Sequence, residues 1–209
     1  MEIIDLFSGI GGLSLGFEQA GFHVVSAIDM WPDAIKTYNH NRKEKVGQVI
    51  TVEDFNESVL PGLLKKHKIN GIIGGPPCQG FSTVGQRIIE DPRNKLYLEF
   101  YKAVKQAKPD FFLIENVRGL TTLNKGAFVK DILDRFGEKG LGYTISYKLV
   151  NAANHGVPQN RIRVIFVGIR GKKFEFPDEF PYILTAKDGI SESRPLVGDD
   201  GVYAVREGS

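Results

Sequence analysis

The chain has 209 residues, a net charge of +2, 42% hydrophobic and 25% charged residues, and one cysteine. Those totals match a soluble globular protein with one domain of ordinary size, exclude an internal disulfide, and leave no apolar run near the roughly 18 residues that span a bilayer. The start Met1-Glu2-Ile3-Ile4-Asp5 lacks the basic and long apolar regions of a secretory signal, so the expected setting is reducing and cytoplasmic, and so small a net charge neither demands nor forbids a nucleic-acid partner.

Ile3 to Phe7 is a short apolar run that predicts a buried strand, and it enters Ser8-Gly9-Ile10-Gly11-Gly12 before helical spacing in Leu13, Phe17 and Ala20. Strand, glycine turn and helix in that order mark the carboxyl edge of a parallel α/β sheet, where a ligand can approach the backbone and the helix N-terminus. The spacing is not the dinucleotide fingerprint, and a simple tight connection is the plain alternative. Phe22 to Ile28 predicts a second strand ending in Asp29, after which Pro32 opens a helix through Ala34, Ile35 and Tyr38. Asp29 stands where a carboxylate can accept hydrogen bonds from ribose hydroxyls; a capping or solvated aspartate is individually as common. Met30 and Trp31 beside it suit either an adenine face or the core.

Val49 to Val52, followed by Glu53-Asp54-Phe55, predicts a third strand ending in acids, and Leu60 to Lys68 a short amphipathic helix with solvated lysines. Gly71 to Gly74 is a fourth strand, and the segment from Pro76 to Pro92 is too polar and glycine-rich to be regular. Leu96, Tyr97, Phe100, Tyr101, Val104 and Ala107 recur at helical spacing until Pro109. Asp110 to Ile114 makes a fifth strand that ends in Glu115-Asn116-Val117. Phe128, Val129, Ile132, Leu133 and Phe136 give the next helix its buried face, with Gly140 and Gly142 ending it. Tyr143 to Val150 and Arg163 to Ile169 read as an antiparallel pair closing the sheet, and prolines and glycines beyond Arg170 mark extended surface chain.

The lone cysteine lies in Gly74-Gly75-Pro76-Pro77-Cys78-Gln79-Gly80-Phe81-Ser82. A single intracellular cysteine is more often a small buried hydrophobe than a reactive thiol. Here two prolines stiffen the backbone before Cys78 and glycines on both sides open the approach, which favours a nucleophile. With Glu115 on the adjacent strand, the pairing of thiol and acid points to covalent catalysis.

Four stretches resemble the DNA cytosine-5 methyltransferases: Asp5-Leu6-Phe7-Ser8-Gly9-Ile10-Gly11-Gly12, Gly75 to Ser82, Glu115-Asn116-Val117, and Gln159-Asn160-Arg161-Ile162-Arg163. The likeness runs to about Arg170, with a fainter echo in Thr185 to Ile190. It implies an α/β methyltransferase fold, Rossmann-like, with a mostly parallel sheet and an antiparallel hairpin at its C-terminal side. Residues 1–170 would form the catalytic and cofactor-binding domain, and 171–209 an extended linker toward a target-recognition region.

The resemblance implies S-adenosylmethionine as cofactor, no metal, and DNA as substrate. Phe7, Gly9 and Gly11 then belong to the cofactor turn, Asp29 to the ribose hydroxyls, Met30 to the adenine-stacking position, Asp54 to the adenine amino group, Phe55 to its ring, and Pro76 to the cofactor's flank. Cys78 matches the thiolate that adds to carbon 6 of cytosine and makes the ring enamine-like. A free thiol of pKa about 8.5 is mostly protonated at neutral pH, so positive charge or hydrogen bonding is expected around Cys78, with Arg161 a candidate. Glu115 matches the acid on ring nitrogen 3 and the amino group, Arg163 the contact to the carbonyl oxygen, and Asn116 a residue bracing the active-site loops. Since the target atom is hidden in a stacked duplex, the base must be flipped out. Ser82, Gln86, Arg87, Arg93 and Lys95 are candidates for clasping phosphates, although charged loop residues are more often simply solvated. The family continues into a target-recognition region and a final helix that Gly201 to Ser209 does not supply. The expectation is therefore a catalytic portion working with a second polypeptide or a missing segment, in a prokaryotic or phage restriction-modification setting. A non-catalytic cofactor- or DNA-binding fragment, and a tRNA cytosine-5 methyltransferase on the same fold, are the alternatives.

Overall fold

A computed structural model describes residues 1–77, 95–187, 196–197 and 203–204. The chain divides into two compact units, one of Met1–Lys148 with Val164–Glu175 and one of Leu149–Arg163 with Phe176–Ser209. Seven strands form one sheet: β1 (Glu2–Leu6), β2 (His23–Asp29), β3 (Gly47–Val49), β4 (Ile69–Gly74), β5 (Phe111–Val117), β6 (Thr144–Asn151) and β7 (Ile162–Ile169). Their spatial order is β3-β2-β1-β4-β5-β7-β6. β1 pairs in parallel with β2 and β4, β2 with β3, and β4 with β5. The chain thus winds outward from β1 to one side, then resumes at β4 on the other. That reversal is a topological switch point, where open α/β sheets hold ligands beyond the carboxyl ends of their strands. At the far edge β6 and β7 form the expected hairpin, and the connection between them closes with Ala152 N–H donating to Arg161 O at 3.0 Å.

The helices are α1 (Gly12–Gln19), α2 (Pro32–His40), α3 (Val52–Asp54), α4 (Leu60–Lys66), α5 (Lys95–Ala107) and α6 (Ala127–Phe136). Alternation along β1 sends Ile3 and Asp5 to one face of the sheet and Ile4 and Leu6 to the other. Around Ile3 a small cluster forms from Val24, Ala27, Tyr38 and Ile73, with Leu13 and Phe17 of α1 packed against it. Ile4 and Leu6 belong to a larger cluster rich in aromatics, among them Phe55, Phe100, Phe112, Phe128 and Phe136. Phe112 has ring neighbours Phe136 at 4.6 Å and Tyr143 at 5.1 Å between centroids, the second edge-on.

Three boundaries differ from the sequence reading. β3 stops at Val49, because Thr51 Oγ1 accepts from Asp54 N–H at 3.1 Å and donates to the Asp54 carboxylate at 2.8 Å. This N-cap turns Val52–Asp54 into helix, and a π-helical turn at Phe55–Val59 leads on into α4. β5 runs on through Val117, so Glu115 and Asn116 are strand residues rather than the segment after a strand. α6 ends at Phe136 with Gly137 as its cap, before Gly140 and Gly142. Among the described residues no helix is long and apolar enough to cross a membrane.

Candidate functional site

Beyond Leu6 the chain turns through Phe7, Gly9 and Gly11 with φ of 60°, 54° and 91°, and Gly11 caps α1. Glycine adopts such angles freely, whereas Phe7 is strained there at a cost of about 1–3 kcal/mol. Hydrogen bonds hold the turn in place. Ser8 N–H donates to Ile28 O at 2.9 Å and Gly11 N–H to Ser8 O at 2.8 Å. Asp29 accepts from Gly9 N–H through Oδ2 and from Trp31 N–H through Oδ1, both at 2.9 Å. Asp29 therefore fastens the turn to the start of α2 and still has lone pairs for a ligand, so the structural and the binding roles of this carboxylate are compatible.

Next to the turn, at the switch point, lies a cleft of about 380 Å³ whose lining includes Phe7, Asp29, Met30, Ile50, Glu53 and Pro77. Met30 is 70% exposed at this lining, and Trp31, also exposed, contributes only its backbone N–H to Asp29. Gly9 and Gly11 shape the turn without lining the cleft. From the segment after β3 the cleft takes Ile50, Thr51, Val52 and Glu53. Asp54 and Phe55, expected on the adenine, are not among these lining residues. Asp54 is bound up in the cap with Thr51, and Phe55, fully buried, points into the aromatic core. Thr51-Val52-Glu53-Asp54 carries the pattern of an N-terminal cap.

The end of β4 brings the second group of residues to the same edge. A Cβ on Gly75 would lie 3.1 Å from Glu115 Oε2, so the half-buried Glu115 carboxylate sits close against this backbone. Asn116 is buried, donates from Nδ2 to Pro76 O at 2.8 Å, and accepts Val117 N–H through Oδ1 at 2.9 Å. The backbone leading into Cys78 is thereby anchored on β5. Cys78, Ser82, Gln86, Arg87 and Arg93 lie outside the described residues, and Lys95 opens α5, whose next residue Leu96 lines the cleft. Arg161 and Arg163 belong to the second unit. There Arg161 is exposed, with its backbone N–H donating to Asn151 Oδ1 at 3.1 Å, while the Arg163 guanidinium donates to Ile162 O at 2.9 Å.

Under the turn, Asp5 is completely buried and accepts from Ser14 Oγ at 2.6 Å. Burial pushes its carboxyl up to about 7, against the opposing pull of the Ser14 hydrogen bonds. Nothing in the sequence reading gave Asp5 a part, because a lone acid in an apolar run looks like the polar alternation of a strand. Among the described residues no group of three or more His, Cys, Asp and Glu could hold a metal ion.

Over residues 1–195 the sequence matches the family of C-5 cytosine-specific DNA methylases. The chain belongs to that family. It is 42% identical over 189 residues to the Type II methyltransferase M.FnuDI of Fusobacterium nucleatum, covering 90% of this chain and 52% of that one. Against the Type II methyltransferase M1.HphI of Haemophilus parahaemolyticus the identity is 40% over 182 residues, covering 85% and 48%. The chain thus spans about half the length of these curated relatives. A crystal structure from E. coli, described as a DNA modification methyltransferase encoded within a prophage, superposes with a TM-score of 0.77 at 34% identity, over 94% of this chain and 56% of that one. Within the family so identified, the Phe7 turn with Asp29 and the Gly75–Pro76 segment with Glu115 and Asn116 are neighbours on one sheet edge, an arrangement that can bring a bound small molecule beside a reacting group.

Proposed function

We propose that this chain is the cofactor-binding and catalytic portion of an enzyme that transfers the methyl group of S-adenosylmethionine to carbon 5 of cytosine in DNA. The observation that supports it most is the convergence of the cleft at Phe7, Asp29 and Met30 with the Asn116-anchored backbone that leads into Cys78. The cleft's volume of about 380 Å³ lies within the range of small-molecule sites. Its donor set fits the cofactor: Ile28, Ile50 and Val52 offer apolar surface for the faces of a base, and the carboxylates of Asp29 and Glu53 suit hydroxyl and amino groups. Bound there, S-adenosylmethionine would supply an electrophilic methyl group.

The chain's own residues carry the rest of the reading. The Cys78 thiolate adds to carbon 6 of cytosine and makes carbon 5, otherwise a poor nucleophile, able to take the methyl group; loss of the carbon 5 proton to a base then expels Cys78 as thiolate and restores the ring. Arg161 favours the thiolate by its positive charge. Glu115 holds a proton at ring nitrogen 3 as the thiolate adds, Arg163 binds the carbonyl oxygen, and Asn116 keeps the Pro76 carbonyl fixed while the loop works. Flipping the base costs a few kcal/mol, which phosphate contacts from Ser82, Gln86, Arg87, Arg93 and Lys95 help to offset. Choice of the DNA sequence falls to a second polypeptide or to further sequence of the kind its longer relatives carry, and the setting is the cytoplasm of a bacterium with a Type II modification system.

The test is incubation with methyl-labelled cofactor and DNA containing 5-fluorocytosine, with and without the remaining half of a relative supplied as a separate chain. A covalent protein–DNA adduct that survives denaturation and disappears in Cys78→Ser is expected. Absence of any Cys78-dependent adduct under every condition overturns the reading. Cofactor binding without transfer would mark a binding fragment instead, and equal labelling of tRNA a different nucleic acid.

A further inference from the structure

Asp5 begins a buried polar chain that ends at the glycine turn. Ser14 Oγ, which donates to Asp5, accepts from Tyr38 OH at 2.9 Å. Over the Tyr38 ring sits the Arg42 guanidinium, 3.8 Å from the centroid. Arg42 Nη2 donates to Gly11 O at 2.7 Å, Nη1 to Tyr38 O at 3.3 Å, and Nε to the Glu18 carboxylate at 3.0 Å. The Arg42 side chain is only 10% exposed. One guanidinium, arriving from just past the end of α2, therefore grips both ends of α1: the carbonyl of its N-cap and the acid in its last turn. A Cβ on Gly11 would fall 2.6 Å from Arg42 Nη1 and from the Tyr38 ring, so glycine answers there both to the left-handed φ and to this stack.

We propose that Arg42 is a positioning residue for the cofactor turn, holding the Gly11 carbonyl and the axis of α1 so that Phe7 and the Asp29-bound Gly9 keep their place beside the cleft. This rests on the reading of that cleft as the cofactor site. Three left-handed residues within five are retained only when the surroundings over-determine them. Asp29 does so from the strand side and Arg42 from the helix side. Lysine is no substitute, because a point charge with a flexible stem cannot serve the Glu18 carboxylate, two carbonyls and an aromatic face at once.

Three measurements on Arg42→Lys test this: the Kd for S-adenosylmethionine by calorimetry, hydrogen exchange over residues 5–15 and over α6, and the thermal midpoint. Val129→Ala, in α6 at the edge of the aromatic cluster, controls for simple loss of stability. Arg42→Lys is expected to weaken binding about tenfold, as befits loss of hydrogen bonds to a charged group, and to speed exchange in the turn while α6 stays protected. Val129→Ala is expected to lower the midpoint with Kd and turn exchange unchanged. Should Arg42→Lys not fold, Glu18→Gln loosens the same anchor and is expected to shift Kd about threefold. Unchanged Kd and turn exchange in the folded variant overturn the proposal. If the wild type binds no S-adenosylmethionine and Arg42→Lys still loosens the turn, the positioning role is supported and the assignment of the cleft falls.

Discussion

The two faces of the sheet are built from different materials. One buries a broad cluster in which Phe100 and Phe112 pack ring against ring with Phe136, and Phe128 with Tyr97. The other buries a few aliphatic residues around Tyr38, with the rings of Phe17, Phe22 and Phe111 partly buried against them, together with a polar chain from Asp5 through Ser14 to Arg42. Apolar packing is non-directional and tolerates small shifts, whereas hydrogen bonds demand particular distances and angles. The first face gives the cleft its apolar wall through Ile28, Val52 and Leu96, and the second holds the strained turn through directional hydrogen bonds.

The largest expected effect breaks the aromatic face and spares the polar one. Phe112→Ala, at a fully buried position, should lower the unfolding free energy by about 3–5 kcal/mol in urea titration. At temperatures where the variant stays folded its cofactor Kd should match the wild type; a weakened Kd would show that the two faces are not independent.

The second prediction addresses the polar face through pH. Asp5 is raised from 3.8 to about 7, so between those values the native state keeps a proton that the unfolded chain has released. Its contribution is fully present below the unfolded value, declines as pH rises from about 4 to 7, and is gone above. Ser14, Arg42 and Asp29 are the groups that act on it besides burial. Asp5→Asn, which keeps an acceptor for Ser14, should flatten this slope and leave the protein more stable than wild type at pH 8. Urea unfolding at pH 5 and pH 8 reads the difference, and an unchanged slope would mean another group carries it.

A smaller effect is expected where the two faces meet. Thr51 lines the cleft and caps the turn that sends Phe55 into the aromatic core. Thr51→Ala should cost about 1 kcal/mol of stability and weaken cofactor binding as well, unlike Phe112→Ala. The smallest effect belongs to the surface pair of Lys130 and Asp134 on α6. Lys130→Met should leave both the urea midpoint and the cofactor Kd where they were, since such an exposed pair is screened by water and salt.

Much of the frame is legible in the sequence. Ile3 to Phe7, the glycines after it and Pro32 at the first turn of α2 are local signals, read from the angles and apolar periodicity that a few neighbouring residues can adopt. β3 was read as Val49 to Val52 rather than Gly47–Val49 because Ile50-Thr51-Val52 is rich in β-branched residues, yet a single hydroxyl at Thr51 found a better use as a cap. The same cap holds the Asp54 carboxylate against Thr51, with Phe55 in the aromatic cluster. Glu115 was expected on the strand next to the Cys78 segment and Asn116 as a brace of the loops; both lie in β5 past Ile114, the last residue that pairs with β4, on a strand that also adjoins β7.

The sequence by itself determined the alternation of strands and helices, the glycine turn after β1, and the motifs that mark the family, because each depends on residues close together in the chain. The tertiary structure alone decided which polar groups meet: Asp29 with Gly9, Asn116 with Pro76, and Arg42 with Gly11 and Glu18. Partners so far apart in sequence leave no periodic trace, and only a packed core can hold them at hydrogen-bond distance with water excluded.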